Sequence, residues 1–156
     1  METMEARMVK LYARNNNHVA LHAIPGHFAT SHSHINFYID MTSLKTRANE
    51  AQEVAKSLAG DYVNSTVVDT IVCMDGTEVV GAYLAQEFEK RGFRNTNLHD
   101  TIYVVTPEYN ANNQLIFRDN MIPAIKGKNV ILLLATTTTG LTVRRSLECV
   151  QYYGGT

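Results

Sequence analysis

Three runs, TVVDTIVCM (66–74), TIYVVTP (101–107) and NVILLLA (129–135), are apolar or β-branched and show no helical period. Runs of this kind suit strands buried on both faces, the position strands occupy in parallel sheets. Between and after them the apolar residues fall at helical spacing. TRANEAQEVAKSLAG (46–60) puts Ala48, Ala51, Ala55 and Leu58 on one face and stops at Gly60, and TEVVGAYLAQEFEKRGF (77–93) puts Val80, Tyr83, Leu84 and Phe88 on one face and stops at Gly92. LTVRRSLECVQYYGG (141–155) places Val143, Leu147 and Val150 together. Strand alternating with helix from about Val63 onward predicts an α/β fold with a doubly wound, mainly parallel sheet and right-handed crossovers.

Residues 15–40 (NNNHVALHAIPGHFATSHSHINFYID) break that pattern, mixing His, Asn and Ser with short apolar pieces and no helical stripe. They predict a hood of loops and short strands over residues 1–40, capping an α/β core at 41–156 within a single domain; YNANNQ (109–114) is polar enough for a mobile loop. At 156 residues and 45% hydrophobic content the chain can bury one core and is too short for a second full domain. Lys+Arg at 14 against Asp+Glu at 15 leaves a formal net charge of −1, so nucleic acid is not the expected partner and a small molecule is. The apolar runs are too short to span a bilayer and the segment after Met1 lacks a secretory apolar stretch, which predicts a cytoplasmic protein with no membrane partner.

Ligands of open α/β sheets bind beyond the carboxyl ends of the strands, here residues 74–77, 106–110 and 136–142. The last carries four consecutive threonines and a glycine just ahead of the third helical stretch. A helix start presents free N–H groups and the positive end of its dipole, and the hydroxyls of Thr138, Thr139 and Thr142 add donors, while Gly140 lets backbone approach an anion. The alternative is that Thr139 serves only as an N-cap. Neither GxxxxGK[ST] nor GxGxxG occurs, so a phosphate site here is of another type.

The strand, hydroxyl-rich loop and helix over 130–142 resemble the phosphoribosyl-diphosphate (PRPP) motif of type I phosphoribosyltransferases. GHFATSHSHINFYID (26–40), with Gly26, Phe28, Ser31, Tyr38 and Asp40 in family-like order, is similar to the hood of orotate phosphoribosyltransferases, and CMDGTEVVGAYLA (73–85) is similar to their pyrophosphate loop and following helix. The resemblance implies a type I phosphoribosyltransferase fold, transfer of phosphoribosyl from PRPP to an orotate-like pyrimidine with release of pyrophosphate, and a homodimer. It implies that Thr138, Thr139, Gly140, Leu141 and Thr142 hold the 5′-phosphate, that Asp75, Gly76 and Thr77 face the pyrophosphate, and that Ser31, His32 and Asn36 lie over the base. Asp75-Gly76 is also an ordinary turn dipeptide.

Three departures accompany the resemblance. The family's adjacent acids, which hold ribose hydroxyls directly or through Mg²⁺, fall where this chain has Leu134 and Ala135, so Mg²⁺ is implied while its anchors are missing. The family's basic residues after the second strand correspond to TPEYNANNQLIFRDN (106–120), whose one cation, Arg118, is the remaining catalytic candidate; it could equally pair with Asp119 or lie in solvent. Each lost donor in such a role costs about 3–4 kcal/mol of transition-state stabilisation, which favours as the alternative a non-catalytic nucleotide- or PRPP-binding module keeping only the 5′-phosphate pocket. Lastly, the type I sheet continues past the YYGG ending the third helix, which predicts a truncated core or an edge covered by a partner.

His32 and His34 form an HxH pair able to meet zinc on one strand face, but no third ligand accompanies them, and polar hood residues or a substrate contact are expected instead of a metal site. Cys73 and Cys149 lack metal or disulfide spacing and are expected as packed core thiols.

Overall fold

A computed structural model of the chain describes residues 3–31, 33–63 and 65–156. In chain order the elements are β1 (Val9–Ala13), β2 (Asn16–Ala29), β3 (His34–Asp40), α1 (Thr42–Thr46), α2 (Ala48–Gly60), β4 (Thr70–Cys73), α3 (Glu78–Lys90), β5 (Tyr103–Val105), β6 (Glu108–Tyr109), β7 (Leu115–Ile116), β8 (Val130–Leu133) and α4 (Leu141–Tyr152). Short 3₁₀ turns cover Glu5–Arg7 and Asp119–Ala124.

The three apolar runs form one parallel sheet in the order β5-β4-β8, with Ile71 opposite Val104 and Ile131, and Val72 opposite Val105 and Leu132. Every residue of β4 is buried. Because side chains alternate along a strand, Ile71 and Cys73 enter a core with Ala55 and Ala59 of α2 and Leu84, Ala85 and Phe88 of α3, whereas Val72 and Met74 enter a second core with Phe117, Ala124, Ile125, Cys149 and Val150. The sheet is thus covered on both faces, which is why these strands read as continuous apolar runs and not as alternating ones. No described helix is long and apolar enough to cross a membrane.

Helix α3 approaches β4 at Gly81, where a β-carbon would stand 2.3 Å from the Cys73 Sγ and 3.2 Å from the Val104 Cγ1. Helix α4 is rotated relative to its expected stripe: Ser146, Cys149 and Val150 face inward and Leu147 is exposed. A buried serine is tolerated because its hydroxyl donates to the Thr142 carbonyl at 2.7 Å, so polarity alone was a poor guide to which face packs. Ala48, expected on the buried face of α2, is exposed at the helix start, and Ala59 takes its place in the core.

The hood is more regular than a set of loops. β1, β2 and β3 form an antiparallel sheet in that order, and β2 runs for 14 residues. Val9 pairs with Ala23, which pairs with Ile39, and Leu11 pairs with Leu21. The register slips between Pro25 and Phe28, and that irregularity hides the strand from a period-two reading. Asn16 ties the sheet to α2 by donating from Nδ2 to Glu53 and Ser57, each at 3.2 Å. The polar 109–114 segment is also ordered into a turn: β6 and β7 pair, and the Asn110 side chain accepts from the backbone N–H of Asn112 and of Gln114, both at 2.9 Å.

At the amino end of the parallel sheet lies Asp69, fully buried. Burial opposes its ionisation, but the backbone N–H groups of Asn129 and Thr96, with the Asn129 side-chain amide, outweigh it and hold the carboxyl below the ordinary range. One carboxylate therefore fastens the start of β8 and the 94–97 loop to β4.

Gly81→Ala is expected to destabilise the chain by about 1–3 kcal/mol through overpacking, and Cys73→Ala in the same chain should recover most of the loss, both read by urea unfolding. Asp69→Asn, which turns an NH₂ toward the Asn129 donors, should cost about 1–3 kcal/mol at neutral pH. Since the folded value lies below the ordinary 3.8, the carboxylate's contribution is complete above that pH and is lost as pH falls through the folded value, so the gap between wild type and Asp69→Asn should narrow below pH 3.8.

Candidate functional site

Cys73 and Leu133 are opposite each other at the carboxyl ends of β4 and β8, and the Met74 N–H donates to the Leu133 carbonyl at 2.9 Å, so both strands end at one level. Each then turns into a helix at the same rim. After β4 the turn is tight: the Thr77 N–H returns to the Met74 carbonyl at 3.2 Å, and Asp75 and Gly76 both adopt positive φ, 57° and 75°. Asp tolerates this conformation better than most residues and glycine without penalty, which accounts for the dipeptide. The Thr77 hydroxyl faces inward, shared between the carbonyls of Met74 at 2.8 Å and Leu133 at 3.2 Å, and the residue is buried.

After β8 the chain passes through Leu134 and Ala135 into the threonine run, and α4 begins behind Gly140, whose φ is +79°. Gly140 occupies the N-cap position and has no side chain to close the first turn; the Thr139 hydroxyl lies only at 3.4 Å from the Leu141 N–H. Thr139 is therefore a weak cap at best, and the helix start is left available to an external acceptor.

Asp75 on one side and residues 136–142 on the other line a cavity of about 220 Å³. Thr138, Thr139, Gly140, Leu141 and Thr142 are brought together there with Asp75, as are Thr136 and Thr137. Gly76 sits in the adjoining turn, and Thr77 locks that turn from beneath without lining the cavity. Arg118 is elsewhere: its Nε donates to the Glu108 carboxylate at 2.8 and 2.9 Å, and not to Asp119. Ser31 and Asn36 are exposed at the β2–β3 end of the hood and contribute nothing to the cavity lining; His32 lies outside the described residues.

Lys45 was not visible from the sequence. It comes from the five-residue helix α1, and its Nζ donates to the Asp75 carbonyl at 2.9 Å. No spacing links residue 45 to residue 75; only the fold does. A wider depression of about 480 Å³ lies between the β1–β2 turn and α2, but Asn16, Glu53, Ser57 and Lys56 there are bonded to one another, so the smaller threonine cavity is the better candidate.

Neither thiol is reactive in this setting. Burial pushes Cys73 up to about 12, only partly countered by the Thr77 hydrogen bond, and burial raises Cys149 as well. The donor set does not fit a dedicated Mg²⁺ site: Leu134 packs into the second core, Ala135 has no ligand atom in its side chain, and among the described residues Asp75 is the single carboxylate lining the cavity. Among the described residues no cluster of three His, Cys, Asp or Glu is placed to hold a metal.

No family model matches the chain, and no curated protein does. Among solved structures, it is similar to the crystal structure of orotate phosphoribosyltransferase from Mycobacterium tuberculosis H37Rv in complex with Fe(III) dicitrate, at 15% identity and a TM-score of 0.53, over 86% of this chain and 72% of that one. The chain has a phosphoribosyltransferase-like fold. At 15% identity the likeness concerns architecture alone.

Thr77→Val should loosen the rim without emptying the cavity. It leaves the Met74 and Leu133 carbonyls short of a donor, with an expected loss of about 1–3 kcal/mol in urea unfolding and faster amide exchange at Gly76 and Thr77 than in wild type.

Proposed function

We propose that this protein handles phosphoribosyl groups: the cavity at residues 136–142 takes the 5′-phosphate of PRPP or of a pyrimidine nucleotide, and the activity is transfer of phosphoribosyl from PRPP to an orotate-like base with release of pyrophosphate. The observation that carries this reading is the meeting of Asp75 and the threonine run in one cavity at the ends of adjacent parallel strands, with a helix start facing into it. A phosphate there accepts from the first N–H groups of α4 and from threonine hydroxyls, and such donors require no reorganisation on binding. The turn at Asp75-Gly76 then stands beside the anomeric carbon, where pyrophosphate leaves as the base nitrogen attacks. No covalent nucleophile takes part. Rate comes from holding base and anomeric carbon together and from stabilising charge on the leaving group.

The doubly wound type I arrangement belongs to this reading, as does a hood that closes over the base from Ser31, His32 and Asn36. No step runs through a metal, because the residues at hand do not suit one. A second reading, a binding module without turnover, is favoured by a specific feature: the positions of the family's acids are filled by Leu134, which packs inward, and Ala135, while Arg118 is engaged by Glu108.

Titration calorimetry with PRPP and orotidine monophosphate, with and without Mg²⁺, followed by an orotate-consumption assay, separates the two. Binding with turnover supports the enzyme, binding without turnover supports the module, and absence of binding to either ligand sinks both. Thr138→Val or Thr142→Val should weaken binding about tenfold each, the worth of one hydrogen bond to a charged group.

A further inference from the structure

Two imidazoles meet on the surface of the hood. The His34 Nδ1 and the His27 Nε2 stand 2.8 Å apart, with ring centroids 4.8 Å apart and ring planes inclined at 36°. Both side chains are exposed, neither lines the threonine cavity, and among the described residues neither ring has another hydrogen-bond partner. The backbone brings them together. His27 falls in the register slip of β2 and is two residues before Ala29, which pairs with His34, so the rings are diagonal neighbours on one face of the sheet. The tip of this hairpin is tied: the Thr30 N–H and hydroxyl both donate to the Ser33 carbonyl at 2.8 Å, and the Thr30 hydroxyl accepts from the Ser33 N–H at 2.9 Å.

Whichever ring nitrogen holds the hydrogen between them, the other offers a lone pair. Moving that hydrogen to the outer nitrogen of its own ring frees both inner lone pairs with no change of charge. Imidazole nitrogens bind first-row ions at about 2.0–2.1 Å, so adjacent ligands of a square-planar ion lie about 2.8–3.0 Å from each other and those of a tetrahedral ion about 3.3–3.4 Å. The observed 2.8 Å matches the square-planar spacing. We propose that His27 and His34 form a surface site for a square-planar divalent ion, copper(II) in preference to nickel(II) or zinc(II), with water in the remaining positions. The preference follows from that spacing and from the order in which imidazole sites take these ions. The site needs no cluster of three protein ligands and is independent of the phosphoribosyl reading.

The test is titration of the full chain with copper(II), nickel(II) and zinc(II) chlorides in a weakly coordinating buffer, for wild type, His27→Gln, His34→Gln and, as a control elsewhere in β2, His22→Gln. Wild type should take one copper(II) per chain, more tightly than either other ion, with electron paramagnetic resonance splitting from two nitrogens. His27→Gln and His34→Gln should each weaken copper(II) at least about tenfold, since even a partner behind a metal ligand is worth that much, while His22→Gln should stay within about twofold of wild type. Unchanged copper(II) affinity in His27→Gln overturns the proposal, because binding then belongs to the His32 and His34 spacing or to the amino terminus. Tighter binding of zinc(II) than of copper(II) overturns the square-planar assignment. Both side chains are exposed, so neither substitution empties the core. On wild type itself, substoichiometric copper(II) should broaden the His27 and His34 ring signals before those of the other histidines, and broadening that starts elsewhere refutes the site.

Discussion

The parallel pairing of β4 with β8 is the constraint on which the rest depends. With Cys73 level with Leu133, and Met74 still bonded to Leu133 beyond the last paired residues, the two chains leave the sheet at one height and both must turn there. The Thr77 hydroxyl, shared between Met74 and Leu133, joins the two exits. A shift of one residue in this register would also exchange the faces of Ile71 and Val72 between the two cores, so the packing that fixes the fold fixes the site.

Order is concentrated below the rim and availability above it. The strands are buried on both sides, α3 is held close by the missing side chain at Gly81, and Asp69 fastens the opposite end of the sheet with a carboxylate whose donors are all in place. At the rim the reverse holds: the N-cap of α4 is a glycine, the Thr139 hydroxyl barely reaches the backbone, and Asp75 and Gly76 stand in a turn exposed to solvent. Rigid elements that end in unsatisfied donors are what a preformed anion site needs.

How much of this could be read from the sequence follows from the kind of signal each part leaves. The three core strands and helices α2 and α3 showed themselves because burial on both faces writes a continuous apolar run, and burial on one face writes a helical stripe. Leu147 misled because the inward face of α4 carries Ser146, a polar residue satisfied within its own helix. The hood strands were hidden by a register slip beside Pro25 and by polar residues facing solvent. In the candidate site, residues 138–142 and Asp75, which line one cavity, stand out as local motifs at strand ends, whereas the hydrogen bond from Lys45 to Asp75 joins residues thirty positions apart that no local pattern encodes. The Thr77 hydroxyl was legible as a group near the site but not as one turned away from it.

The central claim is that amides and hydroxyls at the start of α4 receive a phosphomonoester. An ¹H–¹⁵N NMR titration of the chain with ribose 5-phosphate tests it most directly. The account predicts saturable downfield shifts of the Gly140, Leu141 and Thr142 amides, with smaller changes at Asp75 and Gly76 and none in the hood strands. Shifts confined to other parts of the molecule, or none at all up to millimolar ligand, would contradict it.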